Sequence, residues 1–174
     1  MTTWKVDASH TNVGFSVRHM MVSNVRGNFT GLEGSVEGDP ENLTDAKINF
    51  KIDTSTINTN NEDRDNHLRS ADFFDVEKYP YITFESTEIV KTADDEYDVT
   101  GDLTVKDVTK KNTFKVTRTG SGTNPWGVKV IGFEAESKIS RKEFGLTWNQ
   151  LLETGGALVG DDIKITIEAQ VNPA

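Results

Sequence analysis

The residues able to do acid–base or metal chemistry are few and poorly spaced for it. The chain has three histidines, His10, His19 and His67. None stands at the His-x-His or His-Glu-x-x-His spacing that aims two imidazoles at one metal. Asp65 lies two positions before His67 and, with a nearby serine, sketches a nucleophilic triad. No Gly-x-Ser-x-Gly elbow supports it, and a helix surface making capping and loop contacts explains the same residues. Cysteine is absent, which removes disulfides, thiolate catalysis and any cysteine-ligated zinc or iron–sulfur site. No phosphate-cradling motif occurs, because the glycines sit at turns. His19 is the most informative polar residue: strand parity sets it on the apolar face with Phe15 and Val17, where a histidine is either a satisfied core group or a ligand contact. Arg26, Arg64, Arg69 and Arg141 fall in or beside expected loops, where they would meet either solvent or an acidic head group.

The chain is richer in inward aromatic surface. Phe15, Phe29, Phe50, Phe84, Phe114 and Phe133 fall on or beside apolar strand faces. Such rings either pack a core or line a cavity. A barrel of about eight strands is wide enough to be filled by its side chains or to hold one small ligand, and periodicity does not separate the two.

The elements that must position these rings repeat with period two. Ile48, Phe50 and Ile52 alternate with polar residues, as do Ile82 and Phe84, Leu103 and Val105, Phe114 and Val116, Ile131, Phe133 and Ala135, and Ile163, Ile165 and Ile167. Alternation of this kind marks strands with one apolar and one wet face. Turn clusters separate them at Gly38-Asp39-Pro40, Asp94-Asp95, the run from Gly120 to Pro125, and Gly155-Gly156. Half-wet strands so spaced predict a sandwich or an up-and-down barrel. Two stretches depart from the pattern. Asn61 is placed to cap a helix whose first turn carries Glu62 and Asp63, with Leu68 and Ala71 sharing a face with Phe74 just beyond it. The stretch from Arg141 to Gly156, with Phe144 and Trp148, reads as a long loop over one end of the sheet.

Composition sets the outer limits. At 174 residues the chain fits one domain, residues 1–174, large enough for a core or an enclosed cavity. Asp and Glu outnumber Lys and Arg 28 to 19, for a net charge of −9. That argues against a nucleic-acid partner and against docking on anionic membranes. No run of about 18 apolar residues is present, so no transmembrane helix is expected. No basic segment followed by an apolar stretch opens the chain, so the expected location is cytoplasmic.

Several segments in order carry a family resemblance: Trp4, Asp7 and Ser9-His10; Phe15 to His19; Val25 to Phe29; the run from Arg64 to Thr87, RDNHLRSADFFDVEKYPYITFEST; Val99 to Val105; Ile139-Ser140-Arg141 with Phe144-Gly145; and Val159-Gly160-Asp161. Over essentially its full length the chain resembles the YceI-like family, also described as lipocalin-like polyisoprenoid-binding proteins. The resemblance implies an all-β, extended antiparallel barrel of about eight strands with one short helix near an opening. It also implies a long apolar isoprenoid ligand, of polyprenyl phosphate or quinone type, with no other cofactor and no catalysis. Some relatives are exported to the periplasm. The cavity lining would then be Phe15, Val17, His19, Phe29, Ile48, Phe50, Ile52, Phe73, Phe74, Ile82, Phe84, Leu103, Phe114, Phe133, Ala135, Phe144 and Trp148, with His19 and Arg141 as head-group contacts. A homodimer through edge strands is a further expectation. Two rival readings are an enzyme acting on such a lipid through His19, His67 or Asp65, and a stress-related structural module whose barrel is filled.

Overall fold

The computed structural model describes residues 3–19, 23–71, 73–144 and 159–174, and for residues 18, 19, 23, 24 and 159–161 the backbone alone. The alternating stretches form ten strands among the described residues: β1 (Thr3–Val6), β2 (Asn12–His19), β3 (Ser23–Phe29), β4 (Leu32–Asp39), β5 (Asn42–Asp53), β6 (Tyr81–Ala93), β7 (Glu96–Val105), β8 (Val108–Thr123), β9 (Lys129–Ser140) and β10 (Val159–Pro173). Their order is β1-β4-β5-β6-β7-β8-β9-β10, and β10 returns to β1 with Trp4 opposite Pro173 and Val6 opposite Val171. This closes an eight-stranded antiparallel barrel, the architecture expected from the alternation and the resemblance. Closure leaves none of these eight strands at an edge, and β3, at the end of the strand order, pairs along its length with β2.

β10 serves two neighbours in succession. Ile163 to Glu168 pair with β2, and Val171 to Pro173 pair with β1. At the changeover the chain makes a 3-10 turn over Ala8–His10, capped by the Asp7 side chain, and the Asp7 N–H donates to the Gln170 carbonyl at 2.7 Å. Beyond that point the wall continues from β10 through the β2–β3 hairpin. Paired hydrogen bonds between Asn28 and Asn58, at 2.9 and 2.8 Å, then tie β3 to the segment after β5.

A single α-helix, α1 (Glu62–Arg69), interrupts the strands among the described residues. The Asn61 side chain accepts from the Arg64 N–H at 3.0 Å, acidic residues occupy the first turn, and His67 and Arg69 lie in the last. Each feature complements the helix dipole. A helix this short and polar is marginal on its own, and side chains bind it to the loop it covers. Arg69 donates to the Ser55 and Ile57 carbonyls at 3.0 and 2.9 Å, and Arg64 donates to the Thr59 carbonyl at 2.7 Å. Asp65, buried, accepts the Thr59 N–H at 2.8 Å and its hydroxyl.

Two local expectations need correction. A face shared by Leu68 and Ala71 assumed that the helix ran on, but it stops at Arg69 and Ala71 is exposed. A turn then returns Phe74 to Leu68, the Phe74 N–H meeting the Leu68 carbonyl at 3.0 Å. The run from Gly120 to Pro125 is not all turn. Gly120 to Thr123 belong to β8, paired with β9 from Gly132 to Lys129. The ladder's hydrogen bonds there outweigh the glycines' preference for turns, and the reversal is confined to Asn124–Val128, where Asn124 Oδ1 accepts two backbone N–H groups at 3.0 Å. Gly155 and Gly156 lie outside the described residues. So does the expected loop after the 3-10 turn Lys142–Phe144.

Candidate functional site

The inward strand faces leave two adjoining apolar spaces inside the barrel. The one beside α1, called here the helix-side chamber, has a volume of about 120 Å³. Its neighbour, the strand-side chamber, has about 90 Å³. Each is well above the roughly 10–15 Å³ that a cavity needs to admit a single water-sized group.

Strands build most of the helix-side chamber. β2 and β3 contribute Phe15, Val17 and Phe29, β5 and β6 contribute Phe50, Ile52 and Ile82, and β7 and β8 contribute Leu103 and Phe114. The chain between β5 and β6 covers it with Ile57, Leu68, Phe73 and Phe74. Phe29 stands between Phe15 and Phe74, its ring centre 5.5 Å from the first and 5.9 Å from the second, the latter edge to face. His67 meets Phe73 edge to face at 5.1 Å, so this histidine helps hold the covering ring. Arg141, 2% exposed, is the one charged side chain among the described residues lining this chamber. An otherwise apolar wall makes a buried guanidinium costly unless its donors are engaged.

Strand residues alone line the other chamber among the described residues. Ile48, Phe84, Phe133 and Ala135 face it, together with Leu43, Val99 and Val171. Phe50, Phe114 and Ile167 line both chambers. Three rings therefore meet at the boundary. Phe50 stacks on Phe84 at 5.1 Å, and Phe114 meets Phe84 and Phe50 edge to face at 5.1 and 5.8 Å. These are favourable aromatic geometries.

Glycines make room for two of the rings. A Cβ on Gly101 would lie 2.7 Å from the Phe84 ring and 2.2 Å from the Glu85 carbonyl oxygen, and one on Gly27 would lie 2.5 Å from the Phe15 ring. Phe15 pairs directly across the ladder with Gly27, an arrangement in which the aromatic covers the backbone that the glycine leaves bare.

The residues named from the sequence divide as follows. Fifteen positions, counting Arg141, reach one chamber or the other in the groups just described, apart from Phe144, His19 and Trp148. Phe144 is buried at 2% exposure but lies outside both linings. His19 is the last residue of β2, opposite Ser23 and Val159, and the disposition of its side chain lies outside the description. Trp148 falls outside the described residues. Sequence reasoning passed over Val13, Val25, Val105, Ile139, Ile163, Ile165 and Ile167 in the helix-side wall. Strand parity points to most of them: Val13 is two residues before Phe15, and the three isoleucines already alternate. Ile57 carries no such signal, since a loop places it. Asp65, considered for chemistry, is engaged with Thr59 in holding the cover. Among the described residues no group of three or more His, Asp or Glu is arranged to hold a metal ion.

The sequence matches the YceI-like domain over residues 4–171. It is 40% identical to a UPF0312 protein of Staphylococcus aureus over 171 residues, covering 98% of this chain and 97% of that one. Among solved structures, BcnA of Burkholderia cenocepacia superposes with a TM-score of 0.82 at 24% identity, covering 95% of this chain and 98% of BcnA. A polyisoprenoid-binding domain of Saccharophagus degradans superposes with a TM-score of 0.73 at 14% identity, over the whole of both chains. With the domain match running nearly end to end and the closed barrel in place, the chain belongs to the YceI-like family.

Proposed function

We propose that the protein binds a long-chain isoprenoid lipid, of polyprenyl phosphate or isoprenoid quinone type, in its barrel interior without transforming it. The observation that carries this is the helix-side chamber: an apolar space whose described lining holds one buried cation, Arg141, and whose wall on one side is a loop and helix rather than strands. The polyisoprenoid-binding domain of the same fold supports the choice of ligand. Each CH₂ group buried contributes about 0.8 kcal/mol, so a prenyl chain gains affinity from length alone, less the cost of ordering it. Arg141 is the group that would meet a phosphate or carbonyl oxygen on the ligand. Transport, storage and sequestration all require only this binding step, and the engagement of Asp65 by Thr59 favours binding over catalysis.

Organic extraction of the purified protein followed by mass spectrometry tests the proposal. A co-purifying isoprenoid, or saturable uptake of an added prenol, is the expected result. Absence of any lipid together with no uptake overturns it.

A further inference from the structure

The two chambers meet at Phe50, Phe84 and Phe114, and the boundary is built with care. Phe114 is 3% exposed and Phe84 1%. All three ring pairs have centres within 5.8 Å, and Gly101 clears the space that the Phe84 ring occupies. A chain entering from the α1 side meets the faces and edges of these rings. At about 120 Å³ the helix-side chamber is far smaller than a long prenyl chain. The shorter the chain, the more of it stays on the α1 side of the rings, whereas a long one reaches the strand-side chamber only by displacing them.

Resting on the isoprenoid-binding reading above, we infer that Phe50, Phe84 and Phe114 form a throat that selects ligand chain length. The rings leave short prenyl chains unaffected and weaken, without abolishing, the binding of long ones, because a long chain must break the ring–ring contacts and turn the rings out of their packed positions, which is costly. Phe114 and Phe50 are the decisive positions, since each borders both chambers and touches both other rings, and Phe114 is the more deeply buried of the two. Phe84 acts from behind, bracing the other two from the strand-side chamber.

The test is competition between two prenols for the full chain. Purified wild type and Phe114→Leu are each incubated with an equal mixture of farnesol and solanesol and recovered by gel filtration, and the bound lipids are extracted and quantified by mass spectrometry. The solanesol-to-farnesol ratio is expected to rise about tenfold or more in Phe114→Leu, the scale on which relieving one crowded apolar group alters selectivity. Phe50→Leu, at a half-buried ring, provides the same readout should the Phe114 variant fail to fold by circular dichroism. An unchanged or lower ratio with both prenols bound overturns the throat and leaves lipid binding standing. Recovery of neither prenol from wild type or variant overturns both.

Discussion

The two chambers share one barrel and one aromatic boundary but are made differently. Every described residue lining the strand-side chamber comes from a strand, and its wall is the ordinary inward half of an alternating sheet. The helix-side chamber borrows Ile57, Leu68, Phe73 and Phe74 from the connection between β5 and β6, and it contains Arg141. A region built by the repeating ladder is held by cooperative hydrogen bonds and close packing. One closed by a loop and a short helix depends on a few side-chain contacts and opens at lower cost. On the proposed binding function, the difference assigns stability chiefly to one half and ligand access to the other.

Truncation on each side should show the contrast most strongly. Leu43→Ala, at a side chain 1% exposed in the strand-side wall, is expected to cost about 2–5 kcal/mol of folding stability with little change in prenol affinity per folded molecule. Leu68→Ala, at a half-buried residue of α1, should cost about 1 kcal/mol in folding while weakening prenol binding measurably. Urea unfolding combined with prenol titration checks both, and equal effects on the two quantities would erase the distinction.

Removing the cap of α1 probes the cover without touching the cavity. Asn61→Ala deletes the acceptor for the Arg64 N–H and is expected to cost about 1 kcal/mol. Hydrogen exchange should quicken in α1 and remain slow in β7 and β9. Uniform acceleration across the barrel would mean that the cover and the ladder open together.

The smallest effect belongs to Asp7, at the changeover of β10 from β2 to β1. The Ser9 hydroxyl, donating at 2.7 Å, holds the Asp7 carboxyl below its usual value; slight burial opposes this, and the Ser9 N–H and His10 add to the lowering. Because the folded value is depressed, the carboxylate contributes stability above the unfolded carboxyl pKa and loses it as pH falls through the folded one. Comparison with Asp7→Asn by urea unfolding across acidic pH should therefore show a difference at neutral pH that vanishes at the acid end. Solvent screening keeps that difference below about 1 kcal/mol. A difference that grows on acidification would reverse the assignment.

Leu43, Val99 and Val171 of the strand-side wall were passed over, although period-two alternation marks an inward residue wherever a strand is regular. Ile48, Phe84, Phe133 and Ala135 were named that way. The helix-side chamber was likewise legible only in part. Phe73 and Phe74 were identified from a recognisable segment, but Ile57 was not, since its place depends on the long-range pairing of Asn28 with Asn58. Ala71 was misplaced because helical spacing was carried beyond Ser70, where the backbone turns. The Gly120 to Thr123 run was misread because local glycine preference gave no hint of the β9 partner that holds it extended. The burial of Arg141 was equally invisible, since a charge beside a loop ordinarily faces water.

Methyl NMR of the protein titrated with farnesol reads the two chambers separately. Saturable shifts are expected at the methyls of Ile57, Leu68, Ile163 and Ile165 in the helix-side chamber, with those of Leu43, Val99 and Val171 in the strand-side chamber left in place. Shifts confined to strand-side methyls, or none in either chamber at saturating farnesol, would contradict isoprenoid binding beside α1.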